Sequence, residues 1–221
     1  MWNDFINRLI NCNKCQRLVE YRNSFPEGYW RKPVPPNGDI NAEIVIVGLA
    51  PAAHGGNRTG RMFTGDESSD NLTKALYYSR LSNQPFSKDK GDGLTLYNVY
   101  ITSSVKCAPP NNKPNSSEVN NCLDYLKEEM EMLKNAKVFI ALGRLAWDSL
   151  LKVFKELGYK VPNSIEFSHG KLIKIEKKDS SIIWLIGSYH PSPRNVKTGR
   201  LTIDMLVEIF NMAKKLTNNS S

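Results

Sequence analysis

Short apolar runs alternate along this chain with longer segments whose apolar residues recur every three or four positions. Residues 44–47 (IVIV) and 138–142 (VFIAL) are uninterrupted apolar runs, as in strands that are buried on both faces. Further strands are predicted at 97–105, 171–175 and 182–186. Helical spacing predicts helices at 1–20, 68–81, 115–133, 144–154 and 201–216. Strands that alternate with helices indicate βαβ units and a mostly parallel sheet.

Turn and capping residues predict where these elements begin and end. Pro and Gly are frequent in residues 21–42, which we expect to form an extended loop. Asn115 followed by Glu118 resembles a capping box, and Ser69 or Asp70 is expected to cap the helix at 68–81. The C-terminal NNSS is expected to fray. No internal repeat or linker is visible, so we predict one domain over 1–221.

The densest cluster of glycine and polar residues follows the first predicted strand, over residues 48–66 (GLAPAAHGGNRTGRMFTGD). Glycine lets the backbone approach a ligand closely. Polar loops also follow two other predicted strands, at 107–112 and 188–195. Because ligands bind at the carboxyl ends of parallel strands, we expect these three loops to meet there and form a binding site. An ordinary surface loop is the alternative interpretation of 48–66.

The charge balance is basic, with 30 Lys and Arg against 22 Asp and Glu, which gives a net charge of +8. A basic protein is suited to a polyanionic partner, although charge alone does not identify one. No apolar run approaches the ~20 residues of a membrane span, and no secretion signal is evident at the N-terminus. We therefore expect a cytoplasmic protein that is not attached to a membrane.

The chain contains four cysteines, Cys12, Cys15, Cys107 and Cys122. Two residues separate Cys12 from Cys15, which allows both sulfurs to face one metal. Because disulfides are uncommon inside cells, four thiolates suit an all-cysteine site for zinc or a [4Fe-4S] cluster. The spacing does not distinguish iron from zinc, and two unrelated pairs of buried thiols are the alternative. A shared site would tie the N-terminus to the middle of the chain.

The residues 48–66, the CAPPNNKP turn at 107–114, the HPSPRN segment at 190–195 and the four cysteines together resemble a uracil-DNA glycosylase. The similarity is greatest to the type-B group, the fifth family of that superfamily, and extends from Cys12 to about Arg200. It implies a three-layer α/β/α fold with a central, mostly parallel, four-stranded sheet. It also implies a [4Fe-4S] cluster on the four cysteines rather than zinc. We further expect a monomer.

The activity that this resemblance implies is hydrolysis of the N-glycosidic bond of a damaged base, which leaves an abasic site and starts base-excision repair. The base is buried in the duplex stack, so the enzyme must flip it into a pocket. The expected partner is DNA that contains uracil or another deaminated base such as hypoxanthine. No lysine is marked by its surroundings as a nucleophile, so we expect water to attack. A non-catalytic nucleic-acid-binding protein with a structural metal cluster is the alternative.

Residue types and the resemblance together assign three sets of site residues. The catalytic set is Asp66, His190 and Asn112. The base-binding set is Gly48, Ala50, Ala53 and Phe63. The DNA-binding set is Arg58, Arg61, Ser192, Arg194 and Asn195.

His190 is expected to donate a hydrogen bond to the pyrimidine oxygen on which negative charge develops, as the resemblance implies. Asp66 is expected to stabilise an oxocarbenium-like sugar or to orient water, and Phe63 to stack on the base. Each has a structural alternative: a histidine that only supports a strand end, a helix N-cap at Asp66 and a core phenylalanine. Likewise Asn112 can be a plain turn residue and each arginine a solvated charge.

One position departs from the pattern of the related type-A enzymes. Those enzymes carry an Asn that reads the uracil edge at about the position of Ser103. Sites with fewer base-specific hydrogen bonds reject analogues poorly. We therefore expect a substrate range that is broader than uracil and includes hypoxanthine and some modified cytosines.

Overall fold

The computed structural model describes residues 1–219; the expected C-terminal fraying extends to 220 and 221, which lie outside the described residues. The strands are β1 (Asn37–Gly38), β2 (Ile44–Gly48), β3 (Val99–Ser103), β4 (Val138–Leu142), β5 (Leu172–Glu176) and β6 (Ile182–Ser188). The helices are α1 (Trp2–Ile10), α2 (Gln16–Asn23), α3 (Gly56–Thr59), α4 (Glu67–Tyr78), α5 (Ser116–Met132), α6 (Arg144–Glu156), α7 (Pro193–Lys197) and α8 (Ile203–Asn218). A 3-10 turn, Pro110–Asn112, precedes α5. Among the described residues, no helix has both the length and the apolar content to cross a bilayer.

The strands form one sheet in the order β1-β3-β2-β4-β6-β5. The four central strands run parallel, and Ile46 of β2 pairs with Ile101 on one side and Ile140 on the other. β1 and β5 are antiparallel edge strands. The predicted α/β class and mostly parallel sheet are confirmed, but the sheet has six strands rather than four. The two additional strands lie at its edges, and β1 is a two-residue pairing within the segment that was expected to be a loop.

Helices cover both faces of the sheet. One face packs against α5 and α6 through buried residues that include Val45, Val47, Leu126, Phe139 and Leu150. The other face packs against α4 and α8 through buried residues that include Ile44, Ile46, Leu72, Ile209 and Phe210. Successive residues of β2 point to opposite faces and both faces are buried, which explains the uninterrupted apolar run. The predicted three-layer α/β/α arrangement follows.

Side chains at the helix N-termini define two of the boundaries. Asn115 accepts a hydrogen bond from the backbone N–H of Glu118 at 2.9 Å, and the Glu118 carboxylate accepts one from the Asn115 N–H at 2.8 Å. This confirms the predicted capping box. The cap of α4 is Asp66 rather than Ser69 or Asp70, because the Asp66 carboxylate accepts the Ser69 N–H at 2.8 Å.

The N-terminal segment forms two helices rather than the single helix expected over 1–20. Cys12 and Cys15 lie in the break between α1 and α2, and Cys15 is the N-cap residue of α2. Arg17 of α2 forms two hydrogen bonds with the Glu118 carboxylate of α5, both at 2.7 Å. The break places the cysteine pair beside α5, which carries Cys122.

Candidate active site

A cleft of about 410 Å³ lies at the carboxyl edge of the central strands. Its walls come from the segments that follow β2, β3, β4 and β6, and include Ala50, Ala52, Phe63, Asp66, Asn112, Gly143, His190 and Ser192. The expected meeting of the three polar loops is therefore confirmed. A volume of this size lies in the range of small-ligand sites. The loop after β4 was not predicted, although Gly143 follows the buried VFIAL strand in the same way that Gly48 follows IVIV.

Among the expected base-binding residues, Ala50 and Phe63 line the cleft. Gly48 and Ala53 are not among its lining residues, and Ala52 supplies the wall near Ala53 instead. Gly48 acts through Phe63: a Cβ atom at Gly48 would lie 2.6 Å from Cε2 of the Phe63 ring. The glycine thus makes room for the aromatic side chain.

Asp66 caps α4 and also lines the cleft. Its Oδ1 accepts hydrogen bonds from the backbone N–H and the hydroxyl group of Ser69 at the start of α4. Its Oδ2 lies 2.7 Å from the position that a Cβ atom of Gly55 would occupy. The side chain also lines the cleft. The N-cap and a cleft-facing carboxylate are therefore compatible in one residue.

His190 follows β6 and lines the same cleft as Phe63 and Asp66. Its ring centroid is 6.0 Å from that of Phe63, at an interplanar angle of 34°. Burial lowers the pKa of His190 to about 4, although the negative charge of Asp66 opposes this shift. The imidazole is accordingly neutral at pH 7, with one nitrogen protonated and able to donate a hydrogen bond.

Asn112 also lines the cleft, from the 3-10 turn after β3. It is exposed and has a φ of 54°, in the left-handed region that Asn tolerates better than most residues. Ser103 is fully buried, and its hydroxyl donates to the carbonyl of Val105 at 2.7 Å. It is not among the cleft-lining residues.

The two arginines of the glycine-rich loop hold that loop in place. Arg61 is buried and pairs with the Asp92 carboxylate at 2.9 Å, while its Nε donates to Thr64 Oγ1 at 2.8 Å. The expectation that Arg61 binds DNA is therefore corrected, because its guanidinium is enclosed by protein partners. Arg58 donates to the carbonyls of His54 and Gly65, both at 2.7 Å, and so joins two parts of the same loop.

The segment after His190 forms the short helix α7. Ser192 caps this helix by accepting the Asn195 N–H at 3.2 Å, and the Asn195 amide donates to the His190 carbonyl at 2.8 Å. Ser192 also lines the cleft, whereas Arg194 is exposed outside it. Arg200 is also exposed, with its guanidinium 4.6 Å from the centroid of the Tyr189 ring.

The four cysteines line one small cavity between α1, α2, α5 and the loop after β3. The Arg22 guanidinium donates to Cys107 Sγ at 3.1 Å and to the Cys12 carbonyl at 3.1 Å. Burial raises the pKa of Cys107 to about 12 and that of Cys122 to about 11. Among the described residues, no group of three or more His, Cys, Asp or Glu side chains is arranged to hold a metal ion.

Comparison with known proteins agrees with this geometry. The sequence model of the uracil DNA glycosylase superfamily matches residues 35–214. A type-5 uracil-DNA glycosylase of Pyrobaculum aerophilum is 49% identical over 219 residues, which is 96% of this chain and 92% of that protein. One of Thermus thermophilus is 41% identical over 220 residues and 96% of each chain. A type-4 uracil-DNA glycosylase of Archaeoglobus fulgidus is 30% identical over 86% of this chain and 80% of that protein. This chain belongs to the uracil-DNA glycosylase superfamily.

Proposed function

We propose that this protein is a monofunctional DNA glycosylase that excises uracil from DNA by hydrolysing the N-glycosidic bond. The observation that carries the proposal is the meeting of Phe63, Asp66 and His190 in one cleft. The similarity to type-5 uracil-DNA glycosylases over 96% of the chain supports it. The product is an abasic site, which enters base-excision repair.

The flipped base enters the cleft and stacks on Phe63. An extruded base is held in such enzymes by stacking on apolar side chains and by hydrogen bonds to its edge. Phe63 supplies the aromatic face, and Ala50 and Ala52 leave room for the base beside the backbone of the loop. Asn112, on the loop after β3, is the polar side chain that we place near the base or the attacking water.

His190 and Asp66 act on opposite sides of the N-glycosidic bond: His190 on the base, and Asp66 on the sugar or the water. The neutral His190 imidazole donates a hydrogen bond to the base oxygen on which negative charge develops; a preorganised donor of this kind is often worth about 10²–10³ in rate. The Asp66 carboxylate stabilises positive charge on the sugar or orients the attacking water. Because Ser69 holds Oδ1 at the helix start, the carboxylate is fixed before the substrate arrives.

The substrate range includes other deaminated bases such as hypoxanthine. The hydroxyl of Ser103 is buried and already donates its hydrogen bond to the Val105 carbonyl. It therefore does not provide the base-edge hydrogen bond that an Asn at this position provides in the type-A enzymes that this sequence resembles. A site with fewer such bonds discriminates less between bases.

The four cysteines hold a [4Fe-4S] cluster. All four line one cavity, and thiolates are the ligands of such clusters. The spacing of the cysteines suits iron and zinc equally, and the resemblance to type-B enzymes favours the cluster. When bound, it would join the N-terminal helices to α5 by covalent ligation.

DNA phosphates contact the exposed side chains around α7. Arg194 lies on this helix and Arg200 soon follows it, both exposed and close in sequence to His190. Ser192 and Asn195 shape the same segment. Phosphate contacts position a protein on DNA without reading its sequence.

The test is base release from a duplex that carries one uracil, beside duplexes that carry hypoxanthine or only normal bases. We expect alkali-labile sites in the first two and none in the third. His190→Ala should lower the single-turnover rate about 100-fold and still bind DNA, whereas Lys174→Ala, exposed on β5, should match the wild type. DNA binding without release from any duplex would favour the non-catalytic alternative, and release of uracil alone would contradict the broad range.

A further inference from the structure

A second histidine accepts a hydrogen bond from the backbone N–H of Tyr189, the residue before His190. The backbone N–H of Tyr189 donates to Nδ1 of His169 at 3.0 Å. The two rings are stacked, with centroids 4.9 Å apart and an interplanar angle of 25°. His169 lies in the loop before β5 and is not among the cleft-lining residues. It therefore acts on the site through the backbone and not through contact with a substrate.

This contact requires one protonation state of His169. Nδ1 accepts a hydrogen bond only in the neutral ring that carries its proton on Nε2. Protonation places a hydrogen on Nδ1, so that Nδ1 becomes a donor. It then faces the Tyr189 N–H, which is also a donor, and the hydrogen bond is lost. The neighbouring charges are Glu208 of α8, which favours the charged ring, and Arg200, whose guanidinium lies over Tyr189. Burial outweighs Glu208 and lowers the pKa of His169 from its ordinary value.

His190 is thereby held from both sides along the backbone. On its N-terminal side the Tyr189 N–H donates to His169, and on its C-terminal side the His190 carbonyl accepts the Asn195 amide at 2.8 Å. Asn195 does not titrate, whereas His169 does. The strand end before Tyr189 stays paired, because the Ser188 carbonyl accepts the Gly143 N–H at 2.8 Å. Loss of the His169 contact therefore frees the backbone only at Tyr189, the residue next to His190.

We propose that His169 is a positioning residue for His190, and that protonation of His169 releases the Ser188–Tyr189 peptide and sets the acid limit of base release. The inference rests on the proposed function. His169 donates no proton to the substrate and forms no bond to it. Its effect is on the orientation of the donor and hence on the rate of bond cleavage, not on DNA affinity.

Two substitutions of His169 distinguish its hydrogen-bond acceptor from its stacking on the Tyr189 ring. In His169→Asn the side-chain oxygen takes the place of Nδ1 as acceptor and does not titrate. In His169→Phe the stacked ring remains but the Tyr189 N–H loses its acceptor. Both remove the imidazole, so a merely structural role would affect them alike. Thermal unfolding of both variants identifies any general loss of stability.

Single-turnover uracil release is measured from about pH 5 to about pH 8, across the ordinary histidine range. We expect the His169→Phe rate to be about tenfold below wild type at high pH, to change little with pH and to meet the declining wild-type rate at low pH, with unchanged DNA affinity. We expect the His169→Asn rate to match wild type at high pH and to lack its decline at low pH. A wild-type rate and pH profile in His169→Phe, or the same acid decline in His169→Asn as in wild type, would overturn the proposal.

Nuclear magnetic resonance of the imidazole nitrogens gives a second reading that does not depend on activity. The chain has three histidines, so their signals can be assigned with one variant each. The Nε2–H tautomer at His169, and a His190 signal that shifts as His169 titrates, support the positioning role; the opposite tautomer or an unaffected His190 contradicts it. If the wild type released no base at any pH, the proposed function would fail, and these signals would still decide the role of His169.

Discussion

The ring of Phe63 occupies the space in which a side chain at Gly48 would stand. A Cβ atom at Gly48 would lie 2.6 Å from Cε2 and 2.7 Å from Cζ of the ring. Phe63 itself has a φ of 47°, in a region that residues other than glycine seldom adopt. The end of β2 and the aromatic wall of the cleft are therefore built together, and the strained backbone is held by the surrounding loop.

Gly48→Ala should displace the Phe63 ring from the cleft. Atoms cannot approach to 2.6 Å, so either the ring or the strand must move. We expect the rate of base release to fall by about tenfold or more, as a displacement of roughly 1 Å in a positioned group often costs. Gly28→Ala is the matched control, because a Cβ atom at Gly28 would have no heavy atom within 4 Å. Equal activity of both variants would contradict a role for Phe63 in base binding.

The central strands and the start of α5 could be predicted because local sequence patterns specify them. The uninterrupted runs in β2 and β4 identify buried parallel strands, and Asn115 with Glu118 identifies the start of α5. The role of Arg61 could not be predicted. Its partner Asp92 is distant in the sequence, and an arginine in a polar loop has the same local pattern whether it pairs with an acid or with solvent.

The dual position of Asp66 and the edge strands of the sheet could not be predicted either, because they also depend on tertiary contacts. The Asp66 position satisfies the rules for an N-cap and for a catalytic acid, and only the fold shows that one carboxylate can reach both Ser69 and the cleft. The strand β1 is two residues long and pairs with β3 through Asn37 and Gly38, which carry no strand-like pattern. Tertiary contacts, not local preference, produce this pairing.

Two substitutions of Asp66 distinguish its N-cap hydrogen bond from the negative charge of its carboxylate. They are Asp66→Asn and Asp66→Ala. An Asn side chain still accepts the Ser69 N–H, so the free energy of unfolding of Asp66→Asn should stay close to wild type, whereas Asp66→Ala should lose about 1 kcal/mol. Both variants lack the carboxylate, and both should release uracil at least about 100-fold more slowly. Full activity of Asp66→Asn would show that Asp66 only caps α4.

His190 should titrate well below an ordinary histidine. Burial lowers its pKa from 6.5 to about 4, so the unfolded chain binds more protons than the native protein between these values. The contribution of His190 to stability is therefore present above about pH 6.5 and is lost as the pH falls toward about 4. Magnetic resonance titration of the His190 ring measures the midpoint, with His190→Asn to assign the signal. A midpoint near 6.5 would contradict a neutral donor held in a buried site.

Arg194 and Arg61 should respond differently to substitution. Arg194→Gln removes an exposed charge beside the cleft, so we expect weaker DNA binding and a dependence on salt that is reduced by about one ion. Arg61→Gln leaves Asp92 buried without its ion pair, so we expect a loss of stability of about 3 kcal/mol and a lower melting temperature. Lys174→Gln, on β5, is the control for net charge. A change in DNA affinity that is equal for Arg194 and Lys174 would point to charge in general and not to this surface.

The cysteine site should control the order of the two N-terminal helices. Cys12 is partly exposed, so Cys12→Ser removes one of the four proposed ligands with little loss of packing. We expect this variant to lose iron and to exchange amide hydrogens rapidly in α1 and α2, while the central strands remain protected. Val119→Ala is the control, because Val119 packs against the same cluster of residues but carries no thiol. If the iron-free Cys12→Ser protein kept wild-type exchange in α1 and α2, contacts such as the Arg17–Glu118 pair would be sufficient to hold the segment, and the cluster would need another role.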